Sequence, residues 1–162
     1  MLTPEIIELE AMTIIGMQSL ISMKCNLIPQ LWDRFMSREN EIKNRAEAPK
    51  AAFGVSYDMR DVSSEGEKSV YEFFHLVGTP ASSVEHIPEG MSYKQIPAHK
   101  YAKFTHNGSL AGLQKTYDAI FSQWLPQSGY EYDASACDLE WYDERFKIDS
   151  DESEFDIYVP IT

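Results

Sequence analysis

The sequence predicts an α+β fold in which a duplicated β-α-β-β module forms one antiparallel sheet with two helices packed on it. An internal repeat is the first observation: the tetrapeptide YDMR at 57–60 returns 85 positions later as YDER at 142–145. The same ungapped shift superimposes an apolar helical pattern and two strand-like patterns of one half on those of the other. Two copies are too few for a solenoid, so we expect halves that share a core, with a groove along their seam.

The length favours one domain over residues 1–162, with repeats at about 3–80 and 88–162. A chain of this size can bury a sizeable core, and no linker or low-complexity segment divides it. The spacing between strands within each half is short, as in hairpins, which favours antiparallel pairing.

The first half contains a strand, a helix and two further strands. Loose alternation over 3–22 predicts one long or bent strand. Asn26 is suited to cap the following helix, whose apolar face is Ile28, Leu31, Trp32, Phe35 and Met36. We expect this helix to end near Ala48-Pro49, followed by strands at 53–57 and 70–77 with a turn at 63–66.

The second half repeats this order. Alternation over 91–105 predicts a strand, and the turn at 107–109 precedes a helix that Pro126 and Gly129 end. The last strands are predicted at 139–142 and 155–161, on either side of an acidic loop at 149–152. The second helix presents the apolar face Leu113, Tyr117, Ile120, Phe121, Trp124 and Leu125.

Composition excludes several functional classes. The net charge of -12 opposes binding to nucleic-acid phosphates, and no apolar run is long enough to span a membrane. The first ten residues lack the pattern of a secretory signal, and the two cysteines stand far apart, so we expect a cytoplasmic protein. No metal-ligand, phosphate-binding or nucleophile motif occurs, and we expect neither a metal nor another cofactor.

Glu140 is the residue that breaks the repeat, because the ungapped shift aligns it with Val55. Alternation along the two equivalent strands, combined with the repeat, predicts that this acid lies among apolar and aromatic neighbours. These are Phe53, Val55, Tyr57, Phe73, Tyr142 and Tyr158.

A carboxylate among aromatic rings is suited to bind an organic cation. It loses hydration there, and a ligand cation restores a partner while the ring faces attract the same charge. In the alternative interpretation Glu140 is solvated or pairs with Arg145 or Lys147. Four helical residues complete the predicted ligand-binding set: Trp32, Phe35, Leu113 and Tyr117. The helical spacing of Trp32, like that of Trp124, also suits a core.

The second half resembles a known family. The runs TYDAI at 116–120 and WLPQSGY at 124–130 look like the second helix of the GyrI-like, or AraC-family, effector-binding domain. DLEWYD at 138–143 and DIYVPI at 156–161 look like its closing strands. The resemblance implies a duplicated β-α-β-β module and an acid in the penultimate strand, here Glu140, at the base of an aromatic groove that binds cations. Regulators of this family often carry a helix-turn-helix segment before the module. We expect this chain to be a form without one, because residue 3 already begins a strand.

Three hypotheses follow from the residues and the resemblance. The first is a small-molecule-binding protein that captures amphipathic, mainly cationic compounds. In the second, which the resemblance supplies, Glu140 is the catalytic acid or base of a hydrolase of strained, cyclopropane-containing genotoxins. The third is an inhibitor that contacts gyrase through its acidic surface. A homodimer and a separate transcription regulator are further candidate associations.

Overall fold

The computed structural model describes residues 2–22 and 24–162, which form one antiparallel sheet with helices packed on it. The predicted α+β class and the duplicated module are therefore confirmed. In the described residues the strands are β1 (Glu5–Leu9), β2 (Met12–Ser22), β3 (Ala52–Asp61), β4 (Tyr71–Ala81), β5 (Ser92–Ile96), β6 (His99–Asn107), β7 (Asp138–Tyr142) and β8 (Glu154–Pro160). The helices are α1 (Ile28–Arg38), α2 (Leu113–Ala119) and α3 (Leu125–Ser128).

The order of strands across the sheet has twofold character. It runs β1-β6-β8-β7-β3-β4-β2-β5. Exchanging each strand of one half for its counterpart in the other gives the same order read backwards. The two halves meet where β3 pairs with β7, at the centre of the sheet.

Each half gives its first strand to the other half. β1 pairs with β6 of the second half, and β5 pairs with β2 of the first half. The predictions of one strand over 3–22 and another over 91–105 are therefore wrong in detail, because each is split into two strands that pair with different neighbours. Residues 10–11 and 97–98 connect the pieces.

The first helix is shorter than the sequence predicts. It begins at Ile28, whose backbone N–H donates to Oδ1 of Asn26 at 3.0 Å, with Pro29 in the first turn. Leu31 and Phe35 bury the inner face of α1 against the sheet. The helix ends at Arg38, followed by a 3₁₀ turn over Glu39–Glu41, well before Ala48-Pro49. The stretch that follows is polar apart from Ile42, which is buried in the core beside α1 from an extended segment outside the helix.

The second helix contains a wider turn. The 3₁₀ turn Leu110–Gly112 leads into α2, and a π-helical segment over Ile120–Trp124 joins α2 to α3. Ile120 is buried in this segment. Gly129 then adopts a left-handed conformation (φ 79°) and ends the helix.

The two faces of the sheet bury different cores. On the helix face, α1 covers Ile15, Met17 and Val77, while the second helical segment covers Phe104, Phe155 and Ile157. The opposite face buries a third cluster that draws Ile96 from β5 and has Ile7 and Leu9 from β1 packed against it. Because one cluster contains residues from both edge strands, the sheet must curve around it.

Candidate functional site

The pairing of β3 with β7 decides what surrounds Glu140. Gly54 is the residue directly opposite Glu140, and Ser56 is opposite Asp138. Directly opposed residues of an antiparallel pair point to the same face of the sheet. Glu140 therefore shares the helix face with Gly54 and Ser56, in a region between α1 and α2 that we call the seam, made of Gly54, Ser56, Asp138, Glu140 and Tyr142.

The predicted common face of Glu140 with Phe53, Val55, Tyr57 and Tyr158 is wrong. Register pairs Val55 with Leu139, and Leu139 with Tyr158, on the opposite face. Across β3 and β7, two even-numbered residues, or two odd-numbered residues, share a face of the sheet. The repeat offset of 85 is odd, so it aligns residues that lie on opposite faces, such as Val55 and Glu140. A slip of one residue exchanges the two faces of a strand, and this is the error that the ungapped repeat introduced.

These four residues belong to the core of the opposite face. Phe53 and Val55 are fully buried there, and Tyr158 stacks on Trp141 with ring centroids 5.4 Å apart. Tyr57 stacks on Phe74 and donates its phenol hydrogen to Oε1 of Gln18.

Other predicted site residues do reach the seam or its walls. Tyr117 of α2 contacts Glu140, and Trp32 of α1 meets Tyr142 edge-to-face at 5.1 Å between centroids. Phe73 lies on the same face, against His75, and Leu113 packs in the core beside Tyr117. Phe35 is fully buried under α1, so its side chain supports Trp32 rather than facing the seam.

Glu140 is half-buried and held by two phenols. Tyr117 donates to Oε1 at 2.6 Å, and Tyr142 donates to Oε2. Burial, reinforced by the Glu140 carboxylate, raises the pKa of Tyr117 and of Tyr142 well above the ordinary value. Both phenols therefore stay protonated at neutral pH and serve as donors to the carboxylate.

No basic side chain of the described residues forms an ion pair with Glu140. Arg145, one of the two partners proposed from sequence, instead binds Asp143 at 2.8 Å and Asp156 at 2.7 Å. Lys147 lies 3.7 Å from Glu152. The alternative in which Glu140 pairs with either of these cations is therefore wrong.

A second acid, Asp138, shares a face with Glu140, as alternation predicts, but was not among the predicted ligand-binding residues. Tyr132 donates to its carboxylate, with O–O distances of 2.9 and 3.0 Å. Burial raises the pKa of Asp138 to about 7, opposed by the Tyr132 hydrogen bond and reinforced by Glu140. Its position two residues before Glu140 on the same strand is the signal that alternation offered.

His75 also faces the seam and was missed. It is 4% exposed, and its Nδ1 lies 2.8 Å from Oγ of Ser56, the residue opposite it on β3. Burial lowers the pKa of His75, although the Glu140 carboxylate opposes this effect, so the ring is neutral at neutral pH.

A cleft of about 550 Å³ opens beside Tyr142, at the end of the seam. Its walls come from the 3₁₀ turn after α1, the segment before β3 and the turn after β7, and they include the acids Glu39, Glu47, Asp143 and Glu144. Arg45 and Lys50 are the basic residues of this lining. Glu140 does not line the cleft, because Tyr142 stands between them.

The model of one protein family matches residues 2–162, and its description is a GyrI-like small-molecule-binding domain. The chain belongs to the GyrI-like family. The resemblance seen in the sequence is thereby confirmed, and small-molecule binding is the general function of this domain.

Individual proteins similar to this GyrI-like domain include a transcriptional regulator and a protein solved with a bound cation. It is 34% identical over 157 residues to the transcriptional regulator BrlR of Pseudomonas aeruginosa, covering 96% of this chain but 54% of BrlR. The chain thus spans about half the length of that curated relative. In fold it is similar to SAV2435, solved with tetraphenylphosphonium, at a TM-score of 0.77 and 12% identity, covering 99% of this chain and 94% of that one. It is also similar to the C-terminal domain of EcmrR, at a TM-score of 0.66 and 17% identity, over 99% and 98% of the two chains.

Within the part of this GyrI-like domain that the structure describes, no helix is long and apolar enough to cross a membrane. The same residues contain no cluster of three or more histidine, cysteine or carboxylate side chains arranged to hold a metal ion.

Proposed function

We propose that this domain binds lipophilic organic cations in the seam between α1 and α2, with Glu140 as the counter-charge. Trp32, Tyr117 and Tyr142 supply the aromatic surface around the cation. The domain would then act as the sensing or capturing part of a drug-responsive system.

The observation that carries this proposal is the state of Glu140. Its carboxylate is half-buried, is held by two phenol donors and has no basic partner among the described residues. Hydrogen bonds from phenols orient a carboxylate without neutralising it. A ligand cation would complete this arrangement, and the nearby ring faces would add about 0.5–2 kcal/mol each.

We propose that a ligand reaches Glu140 by passing between Trp32 and Tyr142, because the cleft ends at Tyr142 and the two rings are in contact. Tyr142 is fixed on its inner side, because it stacks on Phe155 at 4.5 Å between ring centroids and donates to Glu140. Trp32 makes edge-to-face ring contacts with Phe35 and Tyr142 and is a partly buried residue at the margin of the core under α1. We therefore expect a ligand that arrives from the acidic cleft to separate Trp32 from Tyr142.

Two of the comparisons support this function without identifying the ligand. SAV2435 shares the fold and was solved with a lipophilic phosphonium cation. BrlR, which matches over nearly all of this chain, is a transcriptional regulator. By analogy, we propose that ligand binding here feeds a transcriptional response, whether through a separate regulator or through further segments of a longer protein.

The test compares a cation with a neutral compound of similar shape. Tetraphenylphosphonium and triphenylphosphine oxide are titrated against the wild type and Glu140→Gln, with the fluorescence of Trp32 and its neighbours as the signal. We expect Glu140→Gln to weaken phosphonium binding about 10- to 100-fold, since one desolvated charge pair is removed. Binding of the neutral oxide should change little.

Glu85→Gln is the matched control, because it removes the same charge from an exposed position. It should leave both affinities unchanged, which separates the local effect of Glu140 from the effect of net charge. Equal phosphonium affinity in the wild type and Glu140→Gln would contradict the proposal.

A further inference from the structure

β7 carries two acids on the helix face of the sheet. Asp138 and Glu140 are both half-buried, and no ion pair of the described residues includes either of them. Residues two apart on a strand lie about 7 Å apart and point the same way. Two carboxylates this close, partly withdrawn from water and without a cation, resist being ionised together. The pair therefore favours holding one proton.

The hydrogen bonds decide which acid holds that proton. Glu140 accepts from two phenols, those of Tyr117 and Tyr142, whereas Asp138 accepts from Tyr132 alone among the described side chains. Each donated hydrogen bond favours the ionised form, so Glu140 is the better-stabilised carboxylate. Burial raises the pKa of Asp138 to about 7, which the Tyr132 bond opposes and Glu140 reinforces. Asp138 is therefore the acid that keeps the proton.

The other described groups around Asp138 carry no charge at neutral pH. Ser56 of β3 lies opposite, and burial lowers the pKa of the His75 ring that it contacts on β4. Burial raises the pKa of the phenols that α2 and the segment after α3 present, and β8 presents apolar side chains. These neutral neighbours are Ser56, His75, Tyr117, Tyr132, Ile157 and Val159. Glu140 is thus the charge that Asp138 senses.

We propose that Asp138 is a second counter-charge of the cation site, and that it releases its proton to solvent when an organic cation binds beside Glu140. The inference rests on the proposed function, which puts the positive charge of the ligand at Glu140. From there the ligand acts on Asp138 over about the same distance as the Glu140 carboxylate, but with the opposite sign. It favours the ionised form of Asp138, so a proton is exchanged for a cation.

This exchange makes the binding of a permanent cation depend on pH. A unit charge about 7–10 Å away in a half-buried site lowers the pKa of a carboxyl group by about one unit. Affinity for tetraphenylphosphonium should therefore rise about tenfold between about pH 5 and about pH 8, because Asp138 must lose its proton at the lower pH but not at the higher. Near about pH 6.5, each bound cation should release about half a proton.

Calorimetric titration in two buffers of different ionisation enthalpy counts the released protons. Tetraphenylphosphonium has no proton of its own, so every released proton comes from the protein. Asp138→Asn should release none and should bind the phosphonium with nearly the same affinity across this pH range. Asp151→Asn, which removes an exposed acid, is the matched control and should behave as the wild type. Neutral triphenylphosphine oxide should release no proton from any of the three proteins.

A measurement without ligand checks the same assignment. In a ¹³C NMR titration of the side-chain carboxyl carbons, Asp138 is identified by the signal that Asp138→Asn lacks. Its carboxyl group should still be mostly protonated at about pH 6 in the free domain. An Asp138 that is already ionised at about pH 5 would overturn the inference, whatever the ligand does.

The failure of this inference is distinguishable from the failure of the proposed function. If tetraphenylphosphonium binds in a Glu140-dependent way but releases no proton from the wild type, only the role of Asp138 is refuted. The same holds if Asp138→Asn releases as many protons as the wild type, because another group then titrates. If the phosphonium binds at no pH, both proposals are wrong.

Discussion

β3 and β7 are counterparts in the two halves and lie side by side, yet they present opposite chemistry to the helices. β3 presents Ala52, Gly54 and Ser56, whereas β7 presents Tyr142, Glu140 and Asp138 at the directly opposed positions. Every large or acidic residue of one strand thus faces a small residue of the other. The duplicated fold therefore has an asymmetric site, because β7 carries the acidic and aromatic side chains whereas β3 carries small ones.

The helices of the two halves differ in the same sense. α1 is regular and contributes Trp32, an apolar lid that contacts Tyr142. The second helical segment contains a π-helical turn and contributes Tyr117, which donates directly to Glu140. π-helical turns are frequent at functional sites. The second half therefore provides most of the polar groups around Glu140, and the first half provides Trp32, which packs over Tyr142.

The largest expected effect is on stability. It tests whether the first half depends on the close approach of the β2 and β4 backbones, which their counterparts in the second half lack. Gly78 of β4 opposes Gly16 of β2, and a Cβ on Gly78 would lie 2.2 Å from the carbonyl oxygen of Ile15. Because the obstacle is backbone, Gly78→Ala should cost at least about 3 kcal/mol in the free energy of unfolding, measured by urea denaturation.

Gly54→Ala is the control for this prediction, since its Cβ would meet side-chain atoms of His75 at 3.1 Å or more rather than backbone atoms. It should cost no more than about 1 kcal/mol. β6 and β8, the counterparts of β2 and β4, contain no glycine. Similar stability of Gly78→Ala and Gly54→Ala would show that the strands of the first half can separate without penalty.

The next prediction concerns the arginine of the repeated tetrapeptide. Arg145 binds Asp143 and the buried Asp156, whereas Arg60 reaches only Glu72 at 3.2 Å in an exposed pair. Arg145→Gln should therefore destabilise the protein by about 2–3 kcal/mol, because it leaves the carboxylate of Asp156 buried without its cation. Arg60→Gln should cost at most about 1 kcal/mol. Urea denaturation of both variants decides the matter, and equal costs would mean that the two copies of the motif are structurally interchangeable.

The smallest expected effect is the pH dependence of stability that Asp138 causes and that the neutral residue opposite it, Ser56, does not. The pKa of Asp138 is about 7 in the folded protein and 3.8 ordinarily. In the pH window between these two values, the folded protein keeps a proton on Asp138 that the unfolded chain has released. Stability should therefore fall as the pH rises through this window, by about 2 kcal/mol between about pH 5 and about pH 8. Asp138→Asn should lack this loss, while the exposed Asp151→Asn should keep it. A wild type and Asp138→Asn with the same pH dependence would contradict the assignment.

Much of the fold could be predicted from the sequence, because it depends on periodicity and repetition. The apolar face of α1, the antiparallel strands and the duplication are visible in local patterns. The split of the first strand in each half is not, because the alternation over 3–22 continues without a clear break at residues 10–11. Which neighbour each piece pairs with is a tertiary property that no local window contains.

The site could be predicted only in part. The break of symmetry identified Glu140, but its face depends on a register that the ungapped repeat misplaces by one residue. His75 drew no attention as a lone histidine in an apolar strand, since its partner Ser56 lies on a neighbouring strand. The hydrolase and gyrase alternatives stay predictions.

The exchange of edge strands described above ties synthesis of the chain to its folding. β1 is made before every other strand that the structure describes in this domain, yet its partner β6 is made only after β5. β2 likewise waits for β5 to cover its outer edge. Such pairings of high sequence separation slow folding and leave strand edges open in the meantime. A nascent first half therefore exposes unpaired strand edges, and the net negative charge of the chain opposes aggregation until the second half is made.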